Sequence, residues 1–381
     1  MDSGFDVNGS EHPKRVVVKI GTSTLIDSDR RLRIALLYDI AHQVSELRKL
    51  GIDVVIVSSG AIGVGLRRLR INERPSDIPT LQAAAAIGQV ELASHYDQAF
   101  YHYGIQLAQV LLTRGETSDR DTYLHARDTM EKLIELGIVP LVNENDTVAV
   151  DEIRFGDNDT LATLVATMIN ADLVILLSDI EGLYTADPRT SEDAELLERV
   201  GSLTDDLYQA AGGSGGALGS GGMITKIKAA RVLMAAGIPM VICEGQRPNV
   251  IYDVATGEHV GTLFDAEKKA HTINAKKLWI ALGDSPRGSV VVDDGAVLAL
   301  REKGSSLLPV GVQGIFGDFS SGDPVNILDA NGRLVGRGLT RMASDEADKV
   351  KGMNSGAIAA EPHLRHLKDL VVVHRDEMVV F

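Results

Sequence analysis

Six short apolar runs, Val16–Ile20, Ile52–Val57, Ile105–Leu112, Ile138–Val142, Leu173–Leu177 and Ile238–Cys243, alternate with stretches of helical periodicity through the first part of the chain. Each run has the length and β-branched content of a strand buried on both faces. The stretches between them, near 33–50, 81–102, 119–136, 158–170 and 224–236, read as helices that cross back over a sheet. In the 158–170 stretch Leu161, Leu164, Val165, Met168 and Ile169 share one helical face. Asn158 suits its N-cap, and Asp159 suits the positive end of its dipole. This alternation predicts an α/β fold, a mainly parallel sheet sandwiched by helices. Ligands of such sheets sit at the carboxyl ends of the strands.

The pattern changes after about residue 270. Ser289–Val292, Ala296–Ala299 and Val325–Leu328 read as short strands broken by Asp-Gly, Asn-Gly and Gly-Asp turns. At 381 residues the chain exceeds one ordinary core, so two domains are expected. The expected division is a disordered tail over 1–13, a first domain over 14–268 and a β-rich domain over 276–362. A charged linker around Ala266–Ala270 joins the two domains, and a last segment, 363–381, either completes the second or stands apart from it.

The net charge is −15, with 25 Lys and Arg against 39 Asp and Glu through residue 275 and 13 against 14 beyond it. An acidic first part argues against bulk nucleic-acid binding. Anionic ligands must therefore be met by a few placed cations and backbone N–H groups. The single cysteine, Cys243, precludes an internal disulfide and fits a reducing cytoplasm; its apolar neighbours predict a buried, inert thiol. No apolar run reaches the roughly 20 residues of a membrane span. Residues 1–13 resemble neither a signal nor a transit peptide.

Polar clusters follow four of the expected strands: Lys19–Ser23, Ser58–Gly63, Asn143–Asp146 running on to Gly156–Asp159, and Ser178-Asp179. Lys19 at an apolar strand end is costly to bury without an anionic partner, unless it reaches water from an edge strand. The Gly60–Gly65 turn, part of the cluster after the second strand, also reads as a helix start that needs small residues for packing. The acidic and amide loop from Asn143 to Asp159 suits a ligand ammonium group, a Mg²⁺ shell or the positioning of lysines. Seven of the eleven residues from Gly212 to Gly222 are glycine, and Lys226 follows one turn into a helix. That run is either a phosphate cradle or a mobile linker. Neither GxxxxGK[ST] nor GxGxxG occurs in the chain.

Taken in order, VVVKIGTSTL (Val16–Leu25), SSGAIGVG (Ser58–Gly65), LLTR (Leu111–Arg114), VPLVNENDTVA (Val139–Ala149), FGDND (Phe155–Asp159), GLYTADPR (Gly182–Arg189) and GSGGMITK (Gly219–Lys226) closely resemble the motifs of the glutamate 5-kinase family. That family belongs to the amino acid kinase superfamily, and this form of it carries a C-terminal PUA domain. Val292–Ala296 with Gly304–Pro309 resembles the PUA signature, and the resemblance spans roughly residues 15–362. It implies that the domain over 14–268 is an amino acid kinase domain and the one over 276–362 a PUA domain. The implied reaction is ATP-dependent phosphorylation of the γ-carboxylate of L-glutamate to γ-glutamyl phosphate, the first step of proline biosynthesis, with Mg²⁺ bound mainly through the ATP phosphates. By position, Ser59, Asn143, Asp146, Asp157 and Asn158 are implied glutamate-binding residues. Lys19, Ser178, Asp179 and the run Ser220, Gly221, Gly222, Met223, Ile224, Thr225 and Lys226 are the implied ATP site. Lys19 and Lys226 are the implied catalytic lysines, with Asp159 organising them. Ser178 and Ser220 stand where threonine is commoner, which keeps the hydroxyl.

The resemblance further implies a cytoplasmic homo-oligomer, dimer or tetramer, inhibited by proline. Glutamate-5-semialdehyde dehydrogenase, the next enzyme of the pathway, is the implied recipient of the product. Acetylglutamate, aspartate, carbamate or a nucleoside monophosphate stand as alternative acceptors. RNA binding by the second domain is a separate reading; its near-neutral charge argues against it despite Arg333, Arg337 and Arg341. Leu81, Ala84, Ala85, Gly88 and Leu92 line one side of the 81–102 helix, either as a subunit interface or as ordinary core.

Overall fold

The computed structural model describes residues 12–113, 120–148, 158–186, 188, 191, 193–203, 207, 222–266, 286–361 and 370–381. The expected tail, apart from residues 12 and 13, lies outside them, as do most of the expected linker and the glycine run before Gly222. Two compact units are present, Met1–Ala270 and His271–Phe381.

In the first unit the apolar runs form β1 (Arg15–Ile20), β2 (Asp53–Val57), β3 (Leu107–Leu112), β4 (Val139–Glu144), β5 (Leu173–Ser178) and β7 (Met240–Glu244). Two short strands, β6 (Arg199–Val200) and β8 (Thr262–Phe264), extend the sheet, whose order is β3-β4-β2-β1-β5-β7-β8-β6. All pairings are parallel except β7 with β8. The helices are α1 (Thr22–Leu25), α2 (Ile34–Lys49), α3 (Ala61–Arg68), α4 (Ile78–Tyr101), α5 (Arg120–Glu135), α6 (Asn158–Met168), α7 (Met223–Ala236) and α8 (Val250–Ala255). The five helices expected from periodicity are α2, α4, α5, α6 and α7.

Strand alternation assigns the two faces. Val16, Val18 and Ile20 share a core with Ile40, Val44 and Leu47 of α2, Tyr96 and Phe100 of α4, and Ile251 and Val254 of α8. Val17 and Lys19 turn to the opposite face, where α6 packs on β1, β4 and β5. The expected face of α6, Leu161, Leu164, Val165, Met168 and Ile169, is buried, and burial extends around the helix to every residue from Asp159 to Met168. Two threonines on this helix are tolerated because each hydroxyl bonds back along it, Thr163 to the Asp159 carbonyl and Thr167 to the Thr163 carbonyl.

Gly60 adopts a left-handed conformation (φ 92°) and turns the chain from β2 into α3, so the Gly60–Gly65 turn is a helix start. Its small residues allow α3 and α4 to cross at backbone contact. A Cβ on Gly65 would lie 1.7 Å from the Ala84 carbonyl oxygen, and one on Gly88 would lie 1.8 Å from that of Ala61. The small side of α4 is therefore packed against α3 within its own unit.

The second unit is a five-stranded sheet in the order β10-β9-β11-β12-β13. Its strands are β9 (Gly288–Val292), β10 (Val312–Gly317), β11 (Pro324–Leu328), β12 (Leu334–Thr340) and β13 (Val373–Val380). One expected strand is wrong: Ala296–Ala299 lies within α9 (Asp294–Lys303). The Asp-Asp-Gly read as a turn is a helix start, with the Asp293 carboxylate accepting from Ala296 N at 2.7 Å, and Gly304 ends the helix in a left-handed conformation. Leu300 of α9 joins Val290, Val292, Val325 and Ile327 in the core of this unit.

Replacing Gly88 with Ala raises helix propensity by about 1 kcal/mol but drives a methyl into a carbonyl, an overpacking cost of about 1–3 kcal/mol or more. The second effect wins, and the Gly88→Ala variant is expected to lose stability in urea denaturation. A variant as stable as its parent would show that the α3–α4 crossing opens freely.

Candidate active site

Chain order runs outward from β1 in both directions, to β2 on one side and to β5 on the other. That reversal leaves a crevice at the carboxyl ends of the central strands. Register sets what faces it: Lys19 lies level with Val57 and Leu176, and Val57 with Val142. Ser58-Ser59, Asn143 and Ser178-Asp179 therefore leave the sheet at one edge. A cavity of about 600 Å³ opens there, with Lys19, Ser59, Asn143 and Asp146 in its wall. Asn158, Ser178, Asp179 and Lys226 line it too.

The first turn of α6 delivers Asn158 and Asp159 to this crevice. Asn158 is the first helical residue and not a capping side chain; its amide instead bridges two strand ends. It donates to the Ser58 carbonyl and, at 2.8 Å, to Asn143 Oδ1. Asn143 Oδ1 also accepts from Glu144 N at 2.9 Å, which fixes its orientation. Asn143 Nδ2 is then buried in the cavity wall with no hydrogen-bond partner among the described residues. Leaving such a donor unpaired is costly, and an acceptor on a ligand removes the cost.

Asp159 is fully buried and holds both lysines. Lys19 Nζ lies 2.5 Å from its Oδ1, and Lys226 Nζ lies 3.1 Å from its Oδ2. The Thr225 hydroxyl also donates to Oδ2, at 2.8 Å. Burial by itself would push the Asp159 carboxyl up, but Lys19 and Lys226 outweigh burial, with hydrogen bonds from Lys19 and Thr225 adding to them. The carboxyl is held well below the ordinary range and stays ionised. Two ammonium groups from distant sequence positions share one carboxylate, so the triad by itself carries one positive charge, in a cavity that Asp27, Glu144, Asp146 and Asp179 also line. This arrangement attracts an anion.

Gly222 precedes α7 in an extended conformation without a side-chain cap. Gly222, Met223, Ile224 and Thr225 are not among the residues that line the cavity. Asp157, Ser220 and Gly221 lie outside the described residues. Cys243 of β7 is buried, and burial pushes its thiol up to about 12, so it is an inert core residue. Among the described residues no three His, Cys, Asp or Glu gather as a metal site.

Two parts of the site went unread in the sequence. Tyr96 of α4 is buried, its phenolic oxygen accepting from the Ser58 hydroxyl at 3.1 Å, and burial pushes its pKa up so that it stays protonated. A tight hairpin closed by an Ile26–Leu32 bridge forms another wall of the cavity. Arg30 ties this hairpin to the segment after α3, donating to the carbonyls of Ile71 at 2.8 Å and Asn72 at 2.9 Å. The only sequence signal for the hairpin was a run of arginines with no motif.

The Asp159→Asn variant leaves two buried ammonium groups without their counter-charge. It is expected to destabilise the fold by about 3–5 kcal/mol at neutral pH, the scale for breaking a buried pair. Because the native pKa is depressed, the contribution is complete above the unfolded value of about 3.9 and fades as pH falls below it. Urea denaturation from pH 7 downward should therefore show the gap between parent and variant narrowing below about pH 4. A gap independent of pH would mean that the carboxylate is not ionised in the fold.

The amino acid kinase family matches residues 14–244, and the PUA domain matches residues 288–362. The glutamate 5-kinase of Caldanaerobacter subterraneus subsp. tengcongensis is 43% identical over 366 residues, covering 96% of this chain and 97% of that protein. The glutamate 5-kinase of Gloeobacter violaceus is 46% identical over 365 residues, covering 96% and 98%. That of Dehalococcoides mccartyi strain CBDB1 is 44% identical over 370 residues, covering 96% and 98%. The chain belongs to the amino acid kinase family, among the glutamate 5-kinases that carry a C-terminal PUA domain.

Proposed function

We propose that this ATP-dependent kinase transfers the γ-phosphoryl group of ATP to the side-chain carboxylate of L-glutamate, forming γ-glutamyl phosphate at the head of proline biosynthesis. The observation that carries the reading is the buried Lys19–Asp159–Lys226 centre at the strand ends, two cations held on one carboxylate. The extent of identity with glutamate 5-kinases supports the choice of acceptor.

A side-chain carboxylate, with an ordinary pKa of about 4.3, is ionised at neutral pH and needs no general base. One of its oxygens forms a bond to the γ-phosphorus while the bond to the bridging oxygen of ADP breaks, and the electron pair leaves with ADP. No proton has to move. The obstacle is the approach of two anions and the charge on the transferring group, so positioning and fixed cations supply the catalysis. Lys19 and Lys226 meet that charge, kept apart on separate oxygens of Asp159. Asn143 Nδ2 offers its unpaired proton to the substrate carboxylate, Ser59 and Asn158 frame the same wall, and Asp146 takes the α-ammonium group. Asp157, next to Asn158 in sequence, belongs to the same glutamate subsite in this reading. Ser178, Asp179 and the segment Ser220–Lys226 serve the nucleotide. Asp159 is committed to the two lysines, so in this reading Mg²⁺ would be held mainly by the ATP phosphates. When bound, that ion neutralises phosphate oxygens. Inhibition by proline, self-association, a cytoplasmic location and hand-over to glutamate-5-semialdehyde dehydrogenase follow from the same reading.

The test combines purified protein, ATP, Mg²⁺ and glutamate, with hydroxylamine to trap the acyl phosphate and proline as a second variable. Glutamate-dependent hydroxamate is expected, with none from acetylglutamate or aspartate, and proline lowers the rate. Lys19→Ala and Lys226→Ala should each lower kcat by about 10²-fold or more. Asp146→Ala should mainly raise the KM for glutamate. Lysine variants near the parental rate, or ADP release that ignores glutamate, would remove this reading.

A further inference from the structure

Besides Lys19 and Lys226, the cavity is lined by three cations among the described residues, Arg30, Arg33 and Arg74. Arg30 gives its Nη groups to the carbonyls of Ile71 and Asn72, and Arg74 is engaged by another group. Arg33 differs from both. It precedes α2 without capping it through its side chain, and that side chain makes no hydrogen bond or ion pair among the described residues. Its Nε is buried without a partner. The backbone fixes its place: Arg33 N donates to the Leu25 carbonyl at 2.8 Å, at the base of the hairpin that walls the cavity. Ile26, next to Leu25, packs on the turn after Ser59, where a Cβ on Gly63 would lie 2.7 Å from Ile26 Cδ1. The Asp27 carboxylate on the same hairpin closes the turn instead, its Oδ1 accepting from Asp29 N and Arg31 N. A guanidinium held in a cavity wall with donors to spare is costly until an acceptor meets it, and its planar fork matches a carboxylate.

We propose that Arg33 binds the α-carboxylate of the amino-acid acceptor and so determines specificity for an amino acid. The inference rests on the reading that glutamate is the acceptor. Glutamate brings two carboxylates and one ammonium group to the cavity. In that reading the side-chain carboxylate meets the two lysines and Asn143, and the ammonium group meets Asp146. The α-carboxylate is left, and Arg33 is the cavity cation whose side chain has no partner among the described residues. Arg33 stands apart from the bond that forms, so it holds the ground state and the transition state alike. Its loss therefore falls on KM and not on kcat.

Arg33→Gln removes the charge and keeps most of the length. Parent and variant are compared with L-glutamate and with γ-aminobutyrate, which retains the reacting carboxylate and the ammonium group but carries hydrogen in place of the α-carboxylate. The readout is kcat/KM from hydroxamate formation. For glutamate it is expected to fall about 10- to 100-fold in the variant, mostly through KM, the range for hydrogen bonds to a charged group. For γ-aminobutyrate it should stay within about twofold, because the group that Arg33 meets is missing. Arg33→Lys, which keeps the charge and loses the fork, should recover part of the loss. If Arg33→Gln fails to fold, Arg33→Met, which keeps the apolar stem, takes its place. Equal falls for the two acceptors would mark a structural role and overturn the proposal, as would an unchanged KM for glutamate. Those outcomes leave the glutamate reaction standing. A parent that forms no hydroxamate from glutamate instead refutes the reaction, and the role of Arg33 with it.

Discussion

The carboxylate of Asp159, closed off from solvent between the ammonium groups of Lys19 and Lys226, is the interaction around which the first unit is arranged. None of the three charges could be buried alone, because desolvation of an isolated ion far exceeds the stability of a domain. Each is therefore conditional on the other two, and so are the elements that carry them. β1 must lie beside β5, α6 must cover the face to which Lys19 points, and α7 must start against α6. A buried triad of this kind contributes little net stability. What it secures is geometry, two ammonium groups held at fixed places in the wall of one cavity.

The rest of the crevice is built by register and close packing. Parallel pairing brings the ends of β1, β2, β4 and β5 to one level, so residues separated by more than a hundred positions share a wall. The α3–α4 crossing, at backbone contact through Gly65 and Gly88, holds the turn at Ser59-Gly60 against the cavity. Behind it Tyr96 fills the core and meets the Ser58 hydroxyl, which links α4 to the same turn. Asn158 then ties the Ser58 carbonyl to Asn143, whose Nδ2 has no partner among the described residues and lies in the cavity wall. Polar groups that would be a liability in the core are in this way paired with one another at the wall of the cavity.

Much of this was legible beforehand, for reasons that differ from element to element. The strands of the first unit announced themselves because a strand buried on both faces needs an unbroken β-branched run. Lys19 stood out because a lysine in such a run demands an anion. Where reading failed, local chemistry had two outcomes. Asp293-Asp294-Gly295 serves a turn or a helix start equally well, and capping by the Asp293 carboxylate made Ala296–Ala299 helical. Asn158 was fit to cap α6 but bridges Ser58 and Asn143, since a partner across the crevice outcompeted the local one. On α6 the apolar periodicity showed one buried face, yet Thr163 and Thr167 are buried as well, because back-bonding satisfies them.

From the order of its residues alone this chain determined its class of fold, the places where polar segments leave the strands, and its kinship with a kinase family. Those properties are local or cumulative: runs, spacings and motifs read along one dimension. Which oxygen of Asp159 each cation takes, which amide of the crevice keeps a proton to offer, and which hairpin walls the cavity were decided in three dimensions. The reason is that each depends on competition among donors that meet after folding, and nothing in a linear order states which donor will be nearest.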